Sequence, residues 1–179
     1  MKIIAFVGDS ESGKTRLIAR LVAELKERGL TVAVVKHCSH GFDFGDAEKD
    51  SSKFLAAGAD GVALAAPGEI AVLRRMECES DLAALAREQF GAADIVLVEG
   101  GKRNVGLKKI EVLRKDSRGG IKTRREELVA VVADYPAVPK MPTFHPDDVS
   151  KLANWLLKHL PGGKNSCRQD SKTPRRQKL

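Results

Sequence analysis

The sequence has few of the features that mark a secreted, membrane or disulfide-bonded protein. Its three cysteines, Cys38, Cys78 and Cys167, are odd in number, lie far apart and form no C-x-x-C pair. This pattern argues against a disulfide framework and indicates a reducing compartment. The first apolar run ends after five residues at Gly8, which is too short for a secretory signal. No run approaches the length of a membrane span, so a cytoplasmic protein without a membrane partner is expected.

Aromatic residues and a basic surface are also scarce in the body of the chain. Only 4% of the residues are aromatic, which leaves no platform for stacking nucleic-acid bases. The formal charge is +7, but residues 161–179 hold six basic residues and one acid and so carry +5, leaving +2 on residues 1–160. The tail is too polar to bury a core and is expected to be disordered. A nucleic-acid-binding ATPase has only this tail in its favour, and no specific nucleic-acid partner is expected.

What the sequence does contain is a phosphate-binding motif. The segment GDSESGKT at Gly8–Thr15 fits G-x-x-x-x-G-K-[ST], in which backbone N–H groups surround phosphate oxygens. Lys14 adds a positive charge at the β- and γ-phosphates, and the Thr15 hydroxyl is placed to hold Mg²⁺. The predicted nucleotide contacts are therefore Gly8, Asp9, Ser10, Glu11, Ser12, Gly13, Lys14, Thr15 and Arg16, with Lys14 also predicted to act in catalysis.

The motif lies in the order strand, loop, helix that it requires. Lys2–Val7 is a short apolar run typical of a buried strand. After the loop, an apolar stripe at helical spacing ends before Gly29; it consists of Leu17, Ile18, Leu21, Val22 and Leu25. A second apolar run at 31–36 completes a βαβ unit, which implies parallel strands.

The remaining pattern predicts an α/β fold. Further strands are predicted at 94–98, 109–114 and 128–133, and helices at 50–57, at 80–90 with Leu82, Leu85, Ala86 and Phe90 on its buried face, and at 149–160. Two apolar runs separated by Pro67-Gly68 predict an antiparallel hairpin. The expected architecture is the three-layer P-loop NTPase fold: one domain over 1–160 with a mainly parallel sheet, helices on both faces and a hairpin extension.

Three acidic residues are candidates for the nucleotide site. Glu99 follows a buried apolar run and is predicted to be the acidic partner of the loop, as a Mg²⁺ ligand and a catalytic residue. Asp50 is read either as a helix N-cap or as a second carboxylate near Mg²⁺. The chain has no [NT]-K-x-D run; Asp134 is either an acceptor for a guanine edge or a plain loop acid.

The loop after the second strand is rich in polar groups. It is predicted to be a flexible flap at the crevice that supplies basic and acidic groups to a second ligand. These groups are Lys36, His37, Cys38, His40, Asp43, Asp46 and Asp50. A zinc site built from His37, Cys38 and His40 is disfavoured, because ligands this close in sequence cannot close a tetrahedron without a distant fourth.

Taken together, four segments resemble the molybdopterin-guanine dinucleotide biosynthesis protein B family. They are GDSESGKT, KHCSHGFDFGDAEKDS, DIVLVEGGK and KIEVLRK, and the resemblance spans about residues 1–160. The chain differs from many members at Cys38 or Ser39, where a further histidine is usual, and at Gly101, where an aromatic residue is usual.

The resemblance implies a dimeric P-loop protein that binds GTP with Mg²⁺ and hydrolyses it slowly at most. The implied partners are molybdopterin, or the molybdenum cofactor, and the guanylyltransferase that joins GMP to molybdopterin. By the same resemblance Gly8, Gly13, Lys14 and Thr15 bind phosphate and Mg²⁺, and Glu99 is their acidic partner. The resemblance also implies that a loop faces the pterin ligand or the partner with Lys36, His37, His40 and Asp43.

The alternative hypothesis is a small-molecule kinase with the same loop. Such an enzyme needs an arginine-bearing lid over the phosphates. Arg118, Arg124 and Arg125 lie in the segment 115–126, which is read either as that lid or as a solvated basic loop.

Overall fold

A computed structural model describes residues 1–39, 41, 49–76, 81–115, 120–136 and 139–161 of the chain. The chain divides into two units: Met1–His37 together with the part from Leu82 onward, and Cys38–Asp81. The predicted domain at 1–160 includes both units and stays a prediction, as does the basic tail, whose residues 162–179 lie outside the described part. Among the described residues no helix has the length and apolar character needed to cross a bilayer.

The first unit is built on a six-stranded sheet. Its strands are β1 (Lys2–Val7), β2 (Val32–Lys36), β5 (Ile95–Glu99), β6 (Lys109–Val112), β7 (Leu128–Val132) and β8 (Thr143–Phe144), in the order β2-β5-β1-β6-β7-β8. Every neighbouring pair in this sheet is parallel. The carboxyl ends of the strands therefore share one edge, which is where an open α/β sheet binds its ligands.

Helices cover the two faces of this sheet. Helices α1 (Lys14–Glu27) and α4 (Val149–His159) pack with Ile4, Phe6 and their neighbours in the larger core. Helix α3 (Leu82–Phe90) packs on the opposite face against Val96, Val98 and the alternate residues of β1. The predicted α/β class, the mainly parallel sheet and its helical layers are confirmed, and the fold is like that of P-loop NTPases.

The second unit holds helix α2 (Lys49–Ala56) and the hairpin of β3 (Gly61–Ala66) and β4 (Glu69–Arg74). The antiparallel hairpin is confirmed, and Gly68 has φ 86°, as the third residue of a type II turn requires. Helix α2 begins at Lys49, so Asp50 lies in its first turn and the N-cap interpretation of that residue is wrong.

Two details of the first unit differ from expectation. Phe90 was predicted on the buried face of α3, but it is 38% exposed because it is the last residue of the helix; Ala83 is buried on that face instead. Strand β8 was not predicted, because two residues are too short for a periodic signal.

Strand β6 carries two charged residues inside the protein. Lys109 and Glu111 are each 1% exposed and alternate with apolar Ile110 and Val112, which face the larger core. The ammonium of Lys109 forms an ion pair with the Glu127 carboxylate at 2.8 Å, and this hydrogen bond holds the pKa of Glu127 below its ordinary value. Backbone groups of the loops 102–108 and 120–127 form hydrogen bonds with the side chains of Lys109, Glu111 and Glu127. These bonds supply the partners that backbone groups need inside a protein.

We predict that Lys109→Met lowers the free energy of unfolding by about 3–5 kcal/mol, because it leaves Glu127 as a buried charge without its partner. Adding Glu127→Gln should recover part of the loss by removing that charge. Lys108→Met, at the exposed neighbour, should cost no more than about 0.5 kcal/mol. Urea unfolding measures all three; equal losses for Lys108→Met and Lys109→Met would contradict the assignment.

Candidate functional site

The loop between β1 and α1 is fixed at its first residue by the neighbouring strand. Gly8 has φ 151°, and a Cβ there would lie 2.3 Å from the carbonyl oxygen of Val112 and 2.9 Å from the Ser12 hydroxyl. No side chain fits in that space. The loop therefore leaves β1 in direct backbone contact with the end of β6.

The second glycine and its lysine form the turn into the helix. Gly13 has φ 90°, a conformation that glycine adopts without strain, and it precedes the first residue of α1. The Lys14 ammonium donates hydrogen bonds to the carbonyl oxygens of Gly8 at 3.2 Å and Asp9 at 2.5 Å and to the Ser12 hydroxyl at 3.2 Å. Its charge lies among the loop oxygens, at the amino terminus of a 14-residue helix.

Burial lowers the pKa of Lys14 from its ordinary value, while the nearby carboxylates of Glu99 and Asp9 act in the opposite direction.

Thr15 and Glu99 meet at the carboxyl edge of the sheet. The Thr15 hydroxyl donates to Glu99 Oε1 at 2.7 Å, and Lys36 Nζ lies 3.7 Å from the same oxygen. The strand register explains the meeting: Glu99 is paired with Phe6 of β1 on one side and Lys36 of β2 on the other. Glu99 is the last residue of β5, so the sequence placed it correctly beside the loop.

A further ion pair, which the sequence did not predict, links the loop between β1 and α1 to Lys122. Lys122 Nζ donates to both carboxylate oxygens of Asp9, at 2.6 and 2.7 Å, and this hydrogen bond is the main cause that lowers the pKa of Asp9. The two residues are 113 positions apart. No sequence pattern links them; the only available signal was the basic character of the 115–126 segment.

A cleft of about 320 Å³ opens between the start of α1 and the ends of β6 and β7. Asp134, Arg16 and Arg114 line it with Ser12 and Gly13. The Arg114 guanidinium approaches within 3.6 Å of the position a Cβ of Gly13 would take. Arg114 was not among the predicted site residues, although it follows a strand next to β1 and the rule that selected Glu99 would have found it.

The far wall of the same cleft is charged as well. Arg20 donates to Asp147 at 2.8 Å, and this bond lowers the pKa of the Asp147 carboxyl. His145 Nδ1 lies 3.6 Å from the other oxygen of that carboxylate. Asp134 is exposed in the turn after β7. The cleft thus offers two carboxylates and several cations beside the loop.

The other predicted residues are described only in part. His37 follows β2, and its N–H donates to the Glu99 carbonyl oxygen at 2.9 Å. Ser10 and Glu11 are exposed in the loop, and Glu11 has φ 60°. His40 and Asp43 lie outside the described residues, and of Asp50 only the backbone is described. Arg124 and Arg125 are exposed, and Arg118 also lies outside.

The residues present fit a bound nucleotide with Mg²⁺. The hydroxyl of Thr15 and the carboxylate of Glu99 supply hard oxygen ligands 2.7 Å apart, the donor type that Mg²⁺ prefers. Lys14 and the backbone at the start of α1 supply donors for phosphate oxygens. Within the described residues no group of three or more His, Cys, Asp and Glu side chains could hold a metal ion by itself.

The chain is similar to known proteins over most of its length. A sequence profile of the family described as "Molybdopterin guanine dinucleotide synthesis protein B" matches residues 3–134. The "Molybdopterin-guanine dinucleotide biosynthesis adapter protein" of Escherichia coli (strain K12) is 33% identical over 167 residues, which cover 88% of this chain and 93% of that protein. The "Probable molybdopterin-guanine dinucleotide biosynthesis adapter protein" of Bacillus subtilis (strain 168) is 29% identical over 170 residues, 89% of this chain and 94% of that protein.

Solved structures agree with the sequence matches. The crystal structure of Bacillus subtilis MobB superposes with a TM-score of 0.70 at 27% identity and covers 91% of this chain and 100% of that one. A crystal structure of molybdopterin-guanine biosynthesis protein B gives a TM-score of 0.67 at 33% identity, covering 87% and 97%.

We predict that Gly8→Ala lowers the free energy of unfolding by about 1–3 kcal/mol, because the new methyl group meets the Val112 carbonyl. Gly29→Ala is the matched control: Gly29 has φ 78° and nothing within 4 Å of its Cβ position, so only backbone strain applies. That variant should lose about 1 kcal/mol. Thermal and urea unfolding compare them, and a Gly8→Ala protein no less stable than the control would refute the close contact.

Proposed function

Because the chain belongs to the molybdopterin guanine dinucleotide synthesis protein B family, we propose that it is a GTP-binding adapter in molybdenum cofactor biosynthesis. Its role is to assist the guanylyltransferase that joins GMP to molybdopterin. The observation that carries the proposal is the Thr15–Glu99 hydrogen bond beside Lys14, which joins the phosphate-binding motif to its acidic partner across 84 residues of sequence.

Phosphate binding is assigned to the loop Gly8–Thr15. Lys14 already donates to three oxygens of its own loop, the acceptor type that β- and γ-phosphates provide. Asp9 is tied to Lys122, so the loop is supported from both ends before a ligand binds. Supported loops lose less conformational entropy on binding, which favours affinity.

Guanine is assigned to the cleft beside α1. Asp134 lines this cleft after β7, and a carboxylate can accept from both the N1–H and the N2–H of a guanine edge. Adenine offers only one donor group, N6–H₂, on its corresponding edge. The Asp134 carboxylate therefore supports a preference for GTP over ATP.

Hydrolysis is proposed to be slow. When bound, Mg²⁺ would supply positive charge at the β- and γ-phosphate oxygens, held by Thr15 and Glu99. Glu99 Oε1 already accepts from the Thr15 hydroxyl and lies 3.7 Å from the Lys36 ammonium, so this oxygen is engaged by two groups other than an attacking water. Lys14 and Arg114 would offset the charge of the transferred phosphoryl group.

Contacts with the second ligand and the partner enzyme are assigned to the segment after β2. Lys36 and His37 lie at the carboxyl edge of the sheet next to Glu99, and His40 and Asp43 follow them in sequence. The assembly is proposed to be a homodimer that works in the cytoplasm.

We predict that Lys14→Ala raises the Kd for Mg²⁺–GTP by about tenfold or more, because it removes charge-assisted hydrogen bonds to the phosphates. Lys26→Ala, an exposed lysine at the other end of the same helix, should leave the Kd unchanged. Isothermal titration calorimetry measures both. Equal affinities of wild type and Lys14→Ala would sink the site assignment.

We predict that Asp134→Asn reduces the preference for GTP over ATP by about tenfold, with ATP affinity nearly constant, because only guanine donates two bonds to that carboxylate. Asp147→Asn changes the other acid of the cleft, which is bound to Arg20, and serves as the control. Competition between fluorescent GTP and ATP analogues gives the ratio; an unchanged ratio in Asp134→Asn rejects this residue as the guanine acceptor.

A further inference from the structure

A second pocket on the first unit lies beside the Asp9–Lys122 ion pair and shares no lining residue with the nucleotide cleft. It has a volume of about 360 Å³ and is lined by Lys102, Arg103, Val105, Lys122, Arg124 and Glu127. Four of the six lining residues are cations and one is an acid. The acid, Glu127, forms its ion pair with Lys109 at 2.8 Å, and of the four cations Arg124 also acts on its carboxylate, so the cations remain in excess.

The first rim of the pocket, residues 102–106, is held by the buried ion pair. Lys109 Nζ donates to the carbonyl oxygens of Lys102 at 3.0 Å and Asn104 at 2.6 Å. The other oxygen of Glu127 accepts from the N–H of Gly106 at 3.2 Å. One buried pair therefore fixes the backbone of three residues around Arg103.

The second rim, residues 122–124, is held by the other buried charge of β6. Both oxygens of the Glu111 carboxylate accept from the N–H of Lys122, at 2.9 and 3.1 Å, and Oε2 also accepts from the N–H of Thr123 at 2.9 Å. Glu111 is 1% exposed. Burying a carboxylate is costly unless its oxygens are hydrogen-bonded, so these three bonds stabilise the backbone at Lys122 and Thr123.

The Lys109–Glu127 ion pair and the Glu111 carboxylate, which hold the two rims, keep the four cations of the pocket together. Side chains on mobile loops would move apart to reduce repulsion, but these four start from fixed backbone positions. Only Lys122 has a carboxylate partner, Asp9 of the loop between β1 and α1, among the ion pairs found in the described residues. The Thr123 hydroxyl between Lys122 and Arg124 is buried, and it has no hydrogen-bond partner in the described part of the chain.

We propose that this pocket binds a phosphate monoester at a site separate from the nucleotide loop. Two arginines and two lysines match a dianionic group with three free oxygens, and planar guanidinium groups bind such groups in pairs of hydrogen bonds. Val105, which is 66% exposed, offers an apolar contact for the organic part of the ester. The Asp9–Lys122 pair joins this pocket to the nucleotide loop, so the two sites share one ion pair.

The test uses phenyl phosphate as the probe and the full chain as the protein. Calorimetric titrations at constant ionic strength compare wild type, Lys14→Ala, and Lys14→Ala combined with Arg103→Ala and Arg124→Ala. The matched control combines Lys14→Ala with Arg87→Ala and Arg125→Ala, which removes two exposed arginines that do not line the pocket. Inorganic phosphate, titrated in parallel, distinguishes an ester site from a site for the free ion. Equal melting temperatures of the variants establish that all are folded.

Lys14→Ala should keep one binding event for phenyl phosphate, because the nucleotide loop is not the site. Arg103→Ala with Arg124→Ala should weaken that event by about tenfold or more, and the control pair by less than about threefold. Loss of all binding in Lys14→Ala, or equal effects of the two arginine pairs, would overturn the proposal, as would tighter binding of inorganic phosphate than of the ester. GTP titrated into the Arg103→Ala/Arg124→Ala protein should bind as in wild type; failure of wild type to bind GTP would reject the proposed function and leave this result standing.

Discussion

The parallel register of β1, β2 and β5 is the constraint on which the site depends. It sets Phe6, Glu99 and Lys36 side by side at one edge of the sheet, and the loop begins two residues after Phe6. A shift of one residue in β5 would turn Glu99 to the opposite face of the sheet and remove its contact with Thr15. The apolar residues of β5, which are fully buried on both faces, make such a shift costly, so core packing and site geometry are specified by the same residues.

Much of the fold and part of the site could be predicted from the sequence. Periodicity located the helices of the first unit and its strands apart from β8, and the Pro-Gly pair located the hairpin. The rule that polar residues at the carboxyl ends of parallel strands converge was sufficient for Glu99, and the family resemblance from four segments is confirmed by the match to residues 3–134. These features are local in sequence or follow from one topological rule, which is why a single chain contains enough information to find them.

What the sequence did not predict depends on contacts between distant segments. The Asp9–Lys122 and Lys109–Glu127 pairs join residues 113 and 18 positions apart, and no periodic pattern encodes either of them. Lys109 and Glu111 lie within an ordinary strand pattern, where charged residues suggest an exposed face. They are buried because loops cover that part of β6, and the backbone groups of these loops need hydrogen-bond partners, which Lys109 and Glu111 supply.

The contact between Gly8 and the carbonyl of Val112 has a consequence for how the motif evolves. Selection acts on Gly8 through folding, since a side chain there would collide with the backbone of β6 whether or not a nucleotide is used. Under the proposed function, Lys14 and Thr15 are constrained by ligand chemistry instead. The motif therefore combines a folding constraint at Gly8 with a ligand-binding constraint at Lys14. A descendant that no longer bound nucleotides would keep the glycine, whereas the lysine would be free to change. Among relatives, the residue at position 14 is the informative record of function, and the residue at position 8 is a record of architecture.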